Sequence, residues 1–188
     1  MYMEADWSVE VGSDLPTIAV PWEGFVHLRR DPLLASSLIE TADSSILAQS
    51  LIRLNQESSP VFTSKCDHWL LSADEIDPLE FDAEARNAEW GIACYIDIIA
   101  RNQALFASFH AHEAWVRSLS NGLRQTKLPQ ARVELVVRAA NVDAREGFAI
   151  TLYTAACGAS EAAAEAIFQA ALEAAVTITM KQAASAGE

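Results

Sequence analysis

The chain is predicted to be α+β: a two-layer sandwich of a mainly antiparallel sheet with two long helices, 103–125 and 160–182, on one face, preceded by an extended and partly helical N-terminal segment. Three observations lead there. The second half reads strand, strand, helix, strand, strand, helix. GIACYIDIIA, residues 91–100, is apolar on both faces apart from Asp97, as a central strand covered on two sides should be. Each long helix carries one apolar stripe, the mark of a helix lying on a sheet. A length of 188 residues suits one domain, 1–188, able to bury roughly 70% of its unfolded surface.

The elements follow in order. Trp7, Val9 and Val11 alternate with Ser8 and Glu10, and TIAV lies between Pro16 and Pro21, so residues 5–29 read as extended. Asp31-Pro32 starts a helix, with a carboxylate cap and proline in the first turn. Asp43-Ser44-Ser45 begins or continues a second one, with Leu47, Leu51 and Leu54 on one stripe. VFTSKCDHWLL, 61–71, lacks helical periodicity and reads as a strand. An acidic excursion follows, with Asp74, Glu75, Asp77, Glu80, Asp82, Glu84 and Glu89 against Arg86. It lacks the glycine and the register of an EF-hand and reads as a solvated loop, or else as a docking surface for a basic partner.

Beyond the helix at 103–125 come the strand 131–139, a turn at NVDAREG and the strand 148–157. Ser160 caps the last helix, in which Glu161, Glu165, Gln169, Glu173, Thr177 and Lys181 recur every fourth residue as its wet side. Ala164, Ala171 and Ala175 would let that helix approach the sheet closely. Tyr95 and Tyr153 occupy matching places in the two strand–strand–helix units, a weak internal repeat.

Composition narrows the function classes. The apolar fraction of 51% excludes a disordered chain, and a net charge of −13 argues against nucleic acid or an anionic membrane as partner. The N-terminus has neither a basic nor an apolar signal region, and the 160–182 stretch is too amphipathic for a membrane span, so the expectation is a cytoplasmic protein. Cys66, Cys94 and Cys157 read as buried free thiols. No P-loop, dinucleotide fingerprint, nucleophile elbow or Cys-x-x-Cys motif occurs, and no cofactor is implied.

Two residues are candidates for acid–base chemistry. His112 falls on the core stripe Leu105, Phe109, His112, Val116, Leu119 and Leu123, so it is a buried structural histidine or a general base in a cleft. Asp97, a carboxylate in an apolar strand, must find donors such as Arg138, Lys65 or a tyrosine hydroxyl; it is a structural anchor or a pocket acid with a shifted pKa. SKCDHWL is the densest reactive stretch. Strand alternation puts Thr63, Lys65, Asp67 and Trp69 on one face and Ser64, Cys66 and His68 on the other. Lys65 and Asp67 then read as a same-face ion pair, and Lys65, Asp67, Trp69 and Tyr95 as candidate ligand contacts. Cys66 and His68 are too far apart to act as nucleophile and base. His110 and His112 point about 200° apart on a helix, so no metal pair forms there.

DWSVE, SPVFTSKCDHW, YID and GFAITLY together resemble an uncharacterised bacterial protein family of unknown function and similar length. The resemblance covers most of the chain and implies a bacterial cytoplasmic origin, with no activity, cofactor or site residue to carry over. The leading expectation is a non-catalytic module that binds a protein partner or a second copy of itself as a homodimer. The alternative is an enzyme or small-ligand binder with a pocket between the 103–125 helix and the sheet, built from Asp97, His112, Lys65 and Asp67.

Overall fold

A single curled sheet organises the computed structural model, which describes residues 1–81 and 87–186. The elements are β1 (Glu4–Glu10), β2 (Ile18–Val20), α1 (Ser45–Asn55), β3 (Val61–Leu71), α2 (Pro78–Phe81), β4 (Trp90–Ala100), α3 (Gln103–Ala107), α4 (Phe109–Leu123), β5 (Ala131–Val142), β6 (Arg145–Gly158) and α5 (Glu161–Ala186). The strand order is β1-β5-β6-β4-β3, with β2 also on β5. β3 to β6 are antiparallel throughout, while β1 and β2 both run parallel to β5. The α+β class and the interior position of β4 are as expected from the sequence.

Strand periodicity divides the sheet into two unlike faces. Ile92, Cys94, Ile96 and Ile98 of β4, Val133, Leu135 and Val137 of β5, and Ile150 and Leu152 of β6 share the main core with α1, α4 and α5. The stripe Leu47, Leu51 and Leu54 of α1 is fully buried there. Ser44 caps α1 by accepting the Leu47 N–H, and Asn55 at its end ties it to β3: the amide donates to the Thr63 hydroxyl and accepts the Thr63 N–H. On α5, Ala164, Phe168, Ala171, Leu172, Ala175, Val176, Thr179 and Ala183 face inward, while Glu161, Gln169, Glu173, Thr177 and Lys181 are exposed. This is the one helix among the described residues with the length and apolarity to cross a membrane, and here its apolar face is spent on the sheet.

Four details depart from the sequence reading. The 103–125 helix is two helices, because Ser108 leaves the helical region and caps α4 by accepting the Ala111 N–H at 3.2 Å. The leucine and phenylalanine spacing runs through the break and hides it. The segment after Asp31 is a 3-10 helix, Pro32–Ser37, although Asp31 caps it as expected. The β5–β6 turn is only Asp143-Ala144, both at positive φ (50° and 64°), so the strands extend inward from the expected turn on both sides. Lastly, α1 joins the two long helices on the covered face of the sheet, where Leu47, Leu51 and Leu54 share their core.

The internal repeat has a geometric counterpart. Tyr95 and Tyr153 sit directly opposite each other in the β4–β6 ladder, ring centroids 5.9 Å apart. Asn102 and Ser160, each seven positions beyond its tyrosine, cap the following helices. Asp67 pairs with Tyr95 and Glu134 with Tyr153 in the outer ladders. A local two-fold thus passes between the tyrosines.

The helix-free face, on which α1, α4 and α5 do not lie, is closed at its ends, in part by Phe106 of α3 and Phe81 of α2, and open in the middle. At one end Ile18, Val20, Phe62, Ile99, Val142 and Phe106 form a small apolar plug. The sheet curls there until Ser64 of β3 donates to the Ala19 carbonyl of β2 at 3.0 Å, from opposite ends of the strand order, although the sheet does not close. At the other end Ile76 and Phe81 pack on Cys157 and Ala155. Between them lies a band of charged and aromatic side chains.

Candidate functional site

A β-bulge builds this band. Thr63 pairs with Ile98 and Cys66 with Ile96, so Ser64 and Lys65 together oppose the single residue Asp97. The extra residue shifts the alternation: Thr63 joins Cys66 and His68 on the helix side, contrary to the face assigned from strict alternation, while Asp67 and Trp69 lie on the other. Lys65 is left beside Asp97 and Tyr95.

Asp97 is 7% exposed and accepts one short hydrogen bond, from the Thr151 hydroxyl at 2.7 Å. Burial raises its pKa; the Thr151 bond and the charges of Arg138 and Lys65 offset that only in part. Two of the donors anticipated for it are therefore electrostatic neighbours, and the hydroxyl that bonds it comes from Thr151. Arg138 is held by Glu10 at 2.9 Å and by the Tyr153 hydroxyl at 3.4 Å, and its Nε is buried without a partner. These groups line a cavity of about 310 Å³ under Pro16–Ala19.

A second cavity of about 750 Å³ lies on the other side of Lys65 and Tyr95, which border both. Its floor is Thr63–His68 of β3, and its walls are Trp22, Val26, Leu28, residues 37–40, Asp43 and Leu51 of α1. A third, of about 210 Å³, holds Trp69 and Tyr153 with the ion pairs of Arg132 to Glu80 and Glu134. Trp69, Tyr95 and Tyr153 form a continuous aromatic row, with centroids 6.5 Å and 5.9 Å apart. Burial and the nearby Asp97 push the Tyr95 hydroxyl up to about 12.

Five of the six candidate residues (Lys65, Asp67, Trp69, Tyr95 and Asp97) thus gather on the helix-free face. His112 is on the opposite side, fully buried under α4 between Trp115 and Phe148. Its Nδ1 donates to the Ser108 carbonyl at 3.2 Å, leaving Nε2 buried and unpartnered, and burial lowers its pKa. The sheet separates it from Asp97, so no pocket between helix and sheet joins the two. The expected Lys65–Asp67 ion pair does not form: the ammonium lies over the Trp22 ring at 5.2 Å, and Asp67 accepts the His68 N–H at 2.8 Å.

Cys66 and His68 share a face two residues apart. Burial, with Glu40, Asp67 and Asp97 nearby, pushes the Cys66 thiol up to about 12, the wrong direction for a nucleophile. Among the described residues no cluster of three His, Cys, Asp or Glu side chains is placed to hold a metal ion. Of the acidic excursion, Asp82, Glu84 and Arg86 lie outside the described residues; Glu75 bonds Ser72 and Glu80 pairs with Arg132.

Sequence reasoning missed the walls of the large cavity. Trp22, Glu40 and Asp43 are far from β3 in the chain and belong to no periodic pattern, so nothing local marks them. The bulge had one trace, the two consecutive polar residues Ser64-Lys65 before an alternating run. Comparison with known proteins adds no constraint: no family model matches the chain, and no curated protein or solved structure is significantly similar to it.

Proposed function

We propose that this protein binds a small organic molecule at the edge strand β3, where residues 22–43 fold back over it, with Lys65, Asp67 and Tyr95 as contacts, Asp97 and Trp69 in the adjoining cavities, and no chemical step assigned. One observation carries the reading: the bulge opposite Asp97 makes Lys65 and Tyr95 a shared wall between cavities of about 750 and 310 Å³. The larger falls within the roughly 300–1,000 Å³ common for ligand pockets, and its mix of aliphatic, aromatic and few polar groups is usual for them. An unreactive thiol and the isolation of His112 favour binding over catalysis.

The test is a thermal-shift screen of metabolites with Trp22→Ala and Tyr95→Ala as controls. A ligand at a hundred times its dissociation constant stabilises by about 2.7 kcal/mol, a melting shift of roughly 5–10 °C for a chain this long. A hit lost in both folded variants supports the site. A flat screen, or a hit indifferent to both substitutions, overturns it.

A second reading, recognition of a protein partner, is favoured by Leu33, Ile39 and Leu79, which stand 70%, 86% and 93% exposed. Retention of a partner by the triple serine variant at these positions would remove that reading.

A further inference from the structure

We infer that the ligand of the 750 Å³ cavity is an organic cation, an ammonium group carried on an apolar body; this rests on the small-ligand reading above. The charge on the cavity walls comes from Glu40, Asp43 and Asp67 against Lys65, with His68 the other basic side chain there. Among the described residues, no Lys or Arg nitrogen comes within ion-pair distance of any of the three carboxylates. The thiol of Cys66, on the cavity floor, is pushed up first by burial and then by the same charges, Glu40, Asp67 and Asp97. A cavity wall with surplus unpaired carboxylates favours a positive ligand and repels an anion.

The remaining walls decide against a bare metal ion. Val26, Leu28, Leu38 and Leu51 offer aliphatic surface that only an organic body can use. A hexahydrated ion, at roughly 30 Å³ per water, fills only a fraction of the 750 Å³ cavity, and among the described residues no three His, Cys, Asp or Glu side chains are placed to hold a metal. Trp22 and Tyr95 add ring faces, the groups that attract ammonium ions. One of these faces already holds a cation: Lys65 Nζ lies 5.2 Å from the centre of the Trp22 ring. Lys65 therefore occupies the position of the ligand's own charge and competes with it. An ammonium ligand enters as this side chain swings away, and is opposed by it otherwise.

That competition gives a test with opposite signs for opposite ligands. The probes are 4-phenylbutylammonium, 4-phenylbutanol and 4-phenylbutyrate, which share one apolar body, titrated calorimetrically into the full chain. The ammonium is expected to bind about tenfold or more tighter than the alcohol, equivalent to about 1.4 kcal/mol, and the carboxylate weakest. Glu40→Gln with Asp67→Asn should weaken the ammonium about tenfold, whereas Lys65→Ala should tighten it. Both are polar or surface changes, and far-ultraviolet circular dichroism checks that the fold is kept. Equal binding of ammonium and alcohol, preference for the carboxylate, weakening by Lys65→Ala, or no ammonium binding at millimolar concentration each overturns the cation assignment. The metabolite screen decides the small-ligand reading separately, because a neutral or anionic hit lost in Trp22→Ala and Tyr95→Ala would sustain the cavity while removing the cation.

Discussion

Asp97 and His112 are both buried titratable groups, and their effects on stability have different pH signatures. Burial raises the Asp97 pKa, so the folded chain holds that proton more tightly than the unfolded chain. Stability then falls as pH rises from the ordinary aspartate value, near 3.9, through the raised one. Asp97→Asn keeps an acceptor for Thr151 and removes the charge. It should unfold at higher denaturant than the parent at pH 7, with the gap closing towards pH 4, as urea titrations across that range would show. His112 titrates the other way. Its pKa is lowered, so its contribution is complete above about pH 6.5 and is lost as pH falls below that value. His112→Leu removes both the acid sensitivity and the unpartnered Nε2. It should flatten the decline in melting temperature between pH 7 and 5; an unchanged slope would assign that decline to another group.

At the scale of elements, two junctions are open to prediction. Ala144 closes the β5–β6 hairpin at φ 64°, where its Cβ is crowded. Ala144→Gly should stabilise by about 0.5–1 kcal/mol, read from chemical denaturation, since relief of strain outweighs the entropy glycine adds to the unfolded chain. Ser108 holds the start of α4 through one side-chain hydrogen bond, and Ser108→Ala should cost about 1 kcal/mol. These junctions also mark where the sequence was hard to read. The Ser160 cap, the helix start at Asp43-Ser44-Ser45, the apolar run of β4 and the stripe of α1 are local patterns and were legible. The α3–α4 break was not, because Leu105, Phe109 and His112 keep helical spacing across it. The hairpin turn lacks Asn-Gly or Asp-Gly, so its short length went unmarked. In the site, Asp97 stood out as a carboxylate in an apolar strand, but the company it keeps depends on a bulge and on residues 16–43 folding back over β3. No local pattern encodes that return.

Over the whole molecule, the outer strands of the sheet are β3 on one side and β1 and β2 on the other, and the two long ones, β1 and β3, each protect a free edge donor. The Trp7 N–H is taken by the Asp6 carboxylate at 3.1 Å, and the His68 N–H by Asp67 at 2.8 Å. Each aspartate occupies a backbone donor of the sort that an incoming strand would use. Asp6→Ala with Asp67→Ala should therefore raise the concentration-dependent association of the chain, measured by sedimentation velocity. An unchanged distribution would mean that the edges are protected by their charge and twist alone.

The pairing of β1 with β5 also has a consequence in time. Glu4 meets Arg132 across the ladder, so β1 leaves the ribosome long before its partner strand does. β2 is paired later still, once Ala140–Val142 have been made. The stretch that walls the large cavity, from Trp22 to Leu28, is tethered to β2. The binding face is thus completed late, after the hairpin of β5 and β6 exists, and a nascent chain stalled before β5 carries every residue of the large cavity yet lacks the strand that anchors β2 beneath it.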